Sequence, residues 1–146
     1  MKKQFVINFS AKYIAVDLGT KSLGIATSNG IIITPRTTFF FKAHDFKSCS
    51  WYLIKFCQKI KADTLVIGVA KHNHRISKQE QAAKKLAHLV KKNLTIKIIF
   101  WDESFSSFQA QEILNQKKYN WIKTKNKIDQ IAAVQILQSY FNNFKK

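Results

Sequence analysis

Hydrophobic and polar positions along Tyr13–Leu18 fit an extended strand, with Ile14, Val16 and Leu18 on one face and Tyr13, Ala15 and Asp17 on the other. Both faces are expected to be covered, so Asp17 is an acidic residue at the end of a buried strand. Leu23–Ser28 and Ile31–Phe41 are likewise rich in β-branched and aromatic residues. Asn29-Gly30 between them predicts a two-residue hairpin turn, and Pro35 suits its strand to a sheet edge.

From Asp45 to Lys61 the period becomes helical, and Phe46, Trp51, Leu53, Ile54, Cys57 and Ile60 make a broad apolar face. Thr64–Ala70 reads as a buried strand, Ser77-Lys-Gln-Glu80 as a capping box opening a helix to Lys92, and Ile96–Glu103 as a further strand. Two strands joined through a helix lie parallel, by a right-handed crossover. Ser106–Gln109 caps a helix to Gln116, Lys117–Lys127 reads as a basic, aromatic loop without clear period, and Ile128–Asn143 closes the chain as a helix. The expected fold class is α/β, a mixed five-stranded sheet made of an antiparallel meander and a parallel βαβ unit, with helices on both faces.

At 146 residues with 46% hydrophobic content, one domain can bury a continuous core without disulfide staples. Residues 1–11 read as an N-terminal arm. The apolar block Met1–Phe9 is too short for a signal peptide, and no run approaches the roughly 20 residues that span a bilayer. The expectation is a cytoplasmic protein with no membrane segment. Cys49 and Cys57 lack a redox or metal-binding spacing and read as buried, reduced thiols.

Charge changes the picture most. Lys and Arg number 25 against 8 Asp and Glu, a formal net charge of +17. Such an excess in a small domain points to a polyanion, nucleic acid ahead of an anionic membrane surface. The few acidic residues then become informative. Asp17 ends the first strand, Asp102-Glu103 ends the last, and Asp129 opens the final helix, where Ala132 and Ala133 share its face and let the helix press close to the sheet. Asp102 and Glu103 point to opposite faces of an extended strand, so one is catalytic and the other supportive.

Carboxylates from three elements of a basic protein suggest Mg²⁺ or Mn²⁺ acting on phosphodiesters, because hard cations prefer carboxylate oxygens and water. Two such ions about 3.5–4 Å apart activate a water and stabilise the leaving oxygen. Lys21, Lys71, Arg75 and Lys78 fall near the strand tips and suit a phosphate backbone. Trp121, with Tyr119 and Lys123 in the same segment, offers stacking on unpaired bases. His72 and His74 flank the tip of the fourth strand; His44 and His88 read as helical and structural, and Glu80 as a cap.

Asp17-Leu-Gly-Thr-Lys with Gly24-Ile-Ala, Val66-Ile-Gly68, Trp101-Asp-Glu103 and Lys127-Ile-Asp-Gln-Ile-Ala-Ala-Val-Gln-Ile-Leu-Gln-Ser-Tyr140 together resemble the YqgF or RuvX family, RuvC-like members of the ribonuclease H-like fold. The resemblance covers Tyr13 to Tyr140. It implies a metal-dependent nuclease with Asp17, Glu103 and Asp129 as metal-binding catalytic residues. It also implies trimming of the 5′ end of precursor 16S ribosomal RNA, with Holliday-junction resolution as the alternative. The partner is then precursor rRNA or branched DNA, and the chain a monomer or homodimer. This sequence departs from the family pattern at Val69-Ala-Lys-His-Asn-His-Arg75, where Leu-Pro and glycines are usual. It departs again at Ser104, where an Arg is usual, and at Ser106-Ser107, where paired Thr are usual. Ser104 lacks a guanidinium that clamps phosphate.

Two rival readings remain at this point. A non-catalytic nucleic-acid-binding paralogue would keep the charge and fold but not the turnover. An actin-like or sugar-kinase phosphate loop at Asp17–Thr20 would need a second domain around the nucleotide, for which 146 residues are too few.

Overall fold

The computed structural model describes residues 12–69, 77–102 and 121–143. Strands β1 (Tyr13–Leu18), β2 (Ser22–Ser28) and β3 (Ile33–Phe40) are followed by helix α1 (Phe46–Ile60), β4 (Thr64–Val69), α2 (Lys78–Lys91), β5 (Lys97–Asp102) and α3 (Trp121–Asn142). The sheet has five strands in the order β3-β2-β1-β4-β5. β2 pairs antiparallel with both β1 and β3, and β4 pairs parallel with β1 and β5. This is the expected meander joined to a parallel βαβ unit, with β1 at its centre.

The alternation read from β1 is realised on both faces. Ile14, Val16 and Leu18 join the larger core under α1 and α2, whereas Tyr13 and Ala15 join the core under α3 with Ile136, Leu137, Tyr140 and Phe141. Tyr13 meets Phe141 edge to face at 5.0 Å between ring centroids, which ties the strand to the end of α3. Ala132 and Ala133 are fully buried, so the small residues do bring α3 down onto the sheet. Among the described residues no helix is long and apolar enough to cross a membrane.

Local signals explain the helix ends. Asp45 caps α1, its carboxylate accepting from the Ser48 amide at 3.2 Å and from the Ser48 hydroxyl at 2.7 Å. Ser77 caps α2 by accepting from the Glu80 amide at 3.0 Å, the first half of the expected capping box. Cys49 and Cys57 are buried free thiols whose pKa values burial pushes up to about 12, which keeps them inert.

Four expectations change. The Asn29-Gly30 turn is longer than two residues: pairing stops at Ser28 and Ile33, and the Asn29 side chain accepts from the amides of both Ile31 and Ile32. An Asx-type turn therefore replaces the tight hairpin, while Gly30 still takes a positive φ of 93°. Trp51 leaves the apolar face of α1 and is 55% exposed, because the helix turns Cys49 and Ser50 inward instead. His44 is no helical residue. It sits exposed before α1 with a left-handed φ of 65°, held by its amide's bond to the Thr20 carbonyl. Finally, α3 starts at Trp121, within the segment expected to be a loop. No Gly or Pro interrupts 121–143, so the backbone is free to stay helical ahead of the apolar period that begins at Ile128.

Pro35 does lie on the edge strand. The β2–β3 register shifts there, Ile25 pairing with Thr37 and Ala26 with Pro35, which leaves Arg36 as a bulge residue. Its guanidinium Nε donates to Thr27 Oγ1 at 2.7 Å.

Candidate active site

The site forms where β1, β2 and the start of the buried part of α3 meet. Asp17 lies directly opposite Gly24 in the β1–β2 ladder, so the two residues project to the same face of the sheet. That face is the one α3 covers. A Cβ built on Gly24 would overlap the carbonyl of Asp129 and stand 2.7 Å from its Cβ. Gly24 is thus the hole into which the α3 backbone settles, and Asp129 arrives beside the strand position facing Asp17.

Ser22, two residues before Gly24 and on the same face, donates its hydroxyl to Asp129 Oδ2 at 2.8 Å. One residue further on, Gln130 donates to Thr38 Oγ1 on β3 at 3.3 Å. These bonds fix the register of the helix against the meander. Nothing in the sequence marks Ser22, because a serine between Lys21 and Leu23 reads as an ordinary turn residue. Its signal is positional: it is the first residue of β2 on the face that carries Gly24.

On β4, Leu65, Ile67 and Val69 belong to the α1–α2 core and Val66 to the α3 core, so alternation puts Gly68 on the α3 face. Gly68 follows Ile67, the partner of Val16, and so flanks Asp17 on the side opposite Gly24. Asp17 is half-buried between two positions that carry no side chain. The same alternation resolves Asp102. Ile99 and Trp101 pack under α3, and Trp101 Nε1 donates to Ser139 Oγ at 3.0 Å, so Asp102 projects to the other face.

The remaining expected residues divide clearly. Lys21 is exposed in the β1–β2 turn, beside Gly19 and Thr20. Lys78 is exposed in the first turn of α2 and lines a cavity of about 520 Å³ with Leu18, Gly19, Thr20 and His44, just beyond the end of β1. Gln79 holds that end in place by donating to the Leu18 carbonyl at 3.4 Å. Glu103, Lys71, Arg75, His72 and His74 lie outside the described residues, as do the side chains of Trp121 and Lys123. Among the described residues no three His, Cys, Asp or Glu side chains form a metal-binding group.

A family model described as "RuvX: Holliday junction resolvase" matches residues 11–143. The chain belongs to the RuvX family. Curated relatives carry the name "Putative pre-16S rRNA nuclease". That of Mycoplasmoides gallisepticum is 33% identical over 135 residues, covering 90% of this chain and 95% of the relative. That of Mycoplasmopsis pulmonis is 32% identical, covering 90% of this chain and 92% of the relative. Among solved structures, Thermus thermophilus RuvC superposes with a TM-score of 0.59 at 8% identity, covering 90% of this chain and 95% of RuvC. The Fowlpox virus resolvase, solved with Holliday junction DNA, gives 0.59 at 16% identity, covering 92% of this chain and 99% of the resolvase. At such identities the likeness establishes the fold, which is ribonuclease H-like.

Within this RuvX chain the electrostatics of Asp129 are distinctive. Burial pushes its carboxyl above the ordinary carboxylate range, and the Ser22 hydrogen bond pulls part of that rise back. The folded protein therefore holds this proton to a higher pH than the unfolded chain does. Between the two pKa values the native state binds more protons, so stability falls as pH rises through that window and stays reduced above it. Asp129→Asn keeps an acceptor for Ser22 and removes the charge. Metal-free Asp129→Asn is expected to melt at a higher temperature than metal-free wild type at neutral pH. The two should converge well below the ordinary Asp value of 3.8. Thermal melts across pH in chelator check this, and a mutant that melts lower at neutral pH would contradict it.

Proposed function

We propose that the chain is a metal-dependent nuclease that trims precursor 16S rRNA, working as one domain in the cytoplasm. The observation that carries the reading is the delivery of Asp129 to the Asp17 face through the gap at Gly24. Two carboxylates on one face, one of them desolvated, favour a counter-cation over solvent. The oxygen-only donor set, with the Ser22 hydroxyl behind it, fits Mg²⁺ or Mn²⁺ rather than a softer ion.

Asp17 and Asp129 would hold the ion, with Glu103 as the third ligand. The outward turn of Asp102 favours Glu103 over it for that role. The chemistry supplied by Mg²⁺ or Mn²⁺ in such a site is activation of water and neutralisation of charge on the phosphate. The protein's own part is positional. Ser22 orients the Asp129 carboxylate, Gly24 admits the α3 backbone that carries Asp129, Gly68 leaves the other flank of Asp17 without a side chain, and Lys21 and Lys78 draw the phosphate backbone to the strand tips. Lys71, Arg75, Lys123 and a stacking Trp121 extend the same interface in this reading. The absent arginine at Ser104 removes a clamp, and the high Lys content compensates with unspecific attraction.

The RNA reading follows the names of the curated relatives, and junction cleavage is the second reading because the family description and the Fowlpox structure name it. Paired cuts across a junction require two sites related by a two-fold axis, hence a homodimer; a single RNA cut needs one chain. The deciding assay offers a 5′-extended 16S precursor fragment and a four-way DNA junction, each with Mn²⁺ and with chelator. Metal-dependent trimming of the RNA is expected. Cutting of the junction alone would transfer the assignment to the resolvase reading, and tight binding without any cutting would leave a binding paralogue.

A further inference from the structure

The outer surface of α1 and α2 lies on the side of the sheet away from Asp17 and Asp129, and of it the site described above uses only Lys78, in the first turn of α2. Along α1, Trp51, Lys55 and Lys59 recur at four-residue intervals and form one exposed ridge. The indole is 55% exposed, and Lys55 Nζ stands 5.5 Å from its ring centroid. Beside it α2 buries Ala83, Leu86, Ala87 and Val90, which turns Lys85 and His88 outward; both are exposed. Across the two helices the sequence holds a single acidic residue, Glu80, in the first turn of α2.

We propose that this face is a second nucleic-acid contact, on which an unpaired base stacks on Trp51 while neighbouring phosphates lie on Lys55, Lys59 and Lys85. The choice of occupant follows from the chemistry. A planar aromatic among lysines matches the alternation of base and phosphate along a single strand. An acidic peptide would use the lysines and leave the indole without a role. A bilayer would need a broad apolar face around the indole, whereas the ridge neighbours of Trp51 are ammonium groups. A chain with a net charge of +17 that grips its substrate on two faces can hold a long structured RNA while the catalytic face engages one end.

The proposal shares the nucleic-acid partner with the nuclease reading, and its test is independent of cleavage. Full-length protein in chelator is titrated against a single-stranded RNA of roughly 12 nucleotides, comparable to known single-strand site sizes, with anisotropy as readout. Trp51→Ala is expected to weaken binding about 10-fold and Trp51→Phe much less, since stacking survives a change of aromatic. Lys55→Glu with Lys59→Glu should flatten the salt dependence by about 1.4 in log–log slope, about 0.7 for each lost phosphate contact. All three proteins should melt near wild type, because the substituted side chains are exposed. Unchanged RNA binding and salt slope in these variants would overturn the proposal. So would unchanged RNA binding with lost adsorption to phosphatidylglycerol vesicles, which would reassign the face to membrane. If the wild type cuts nothing yet Trp51→Ala loses affinity, the nuclease reading fails and this surface stands.

Discussion

Asp17→Asn is expected to reduce metal-dependent cleavage by at least about 100-fold, since even partners one shell outside a metal commonly cost 10–100-fold when removed. The substitution is nearly isosteric and half-exposed, so the fold should persist and the loss should sit in turnover rather than in substrate binding. A second readout separates metal binding from chemistry. Ligand that binds only the folded state raises stability by about 2.7 kcal/mol at a hundredfold excess over its Kd, so wild type should melt higher in Mn²⁺ than in chelator. Asp17→Asn should lose most of that rise. Cleavage within twofold of wild type, with the Mn²⁺ shift intact, would remove Asp17 from the centre of the site.

Much of this arrangement is legible in the sequence because period-2 alternation is a strict geometric rule. Once Tyr13–Leu18 is extended, Asp17 must share a face with Tyr13 and Ala15, and the two cores divide on that basis. The pair Ala132-Ala133 likewise announces a close helix–sheet contact, and both are fully buried. What the sequence leaves open is which strand the helix meets, because that depends on a gap rather than on a side chain. Gly24 and Gly68 carry no pattern of their own. They acquire meaning only when the register places one opposite Asp17 and alternation turns the other to the same face. Trp51 errs in the opposite direction: hydrophobicity assigns it to the core, while the helical phase of Cys49, Leu53 and Cys57 turns it to solvent. The start of α3 is hidden in the sequence for a related reason. Apolar period is the signal that locates a helix in a sequence, and Trp121–Lys127, with five of its seven residues Lys, Thr or Asn, carries none.

Gly24→Val tests the packing on which the site depends. Added side-chain atoms in a filled site usually cost about 1–3 kcal/mol, and the upper end or beyond is expected here, because the obstacle is the Asp129 backbone. A flexible side chain could swing aside; a peptide carbonyl anchored by the Gln130–Thr38 bond and by the buried Ala132-Ala133 contact must carry the helix with it. Lifting α3 also withdraws Asp129 from Ser22, so activity should fall by about 100-fold in whatever fraction still folds, the penalty typical of an ångström-scale misplacement. Gly19→Ala is the matched control. Its new methyl would meet the Ser22 hydroxyl oxygen at 3.2 Å, a contact relieved by a few tenths of an ångström that the bond to Asp129 can follow, so a stability change under about 1 kcal/mol is expected. Urea midpoints for the two variants decide the matter. Equal midpoints would mean that α3 does not rest on Gly24, and Asp129 would then have no fixed place beside Asp17.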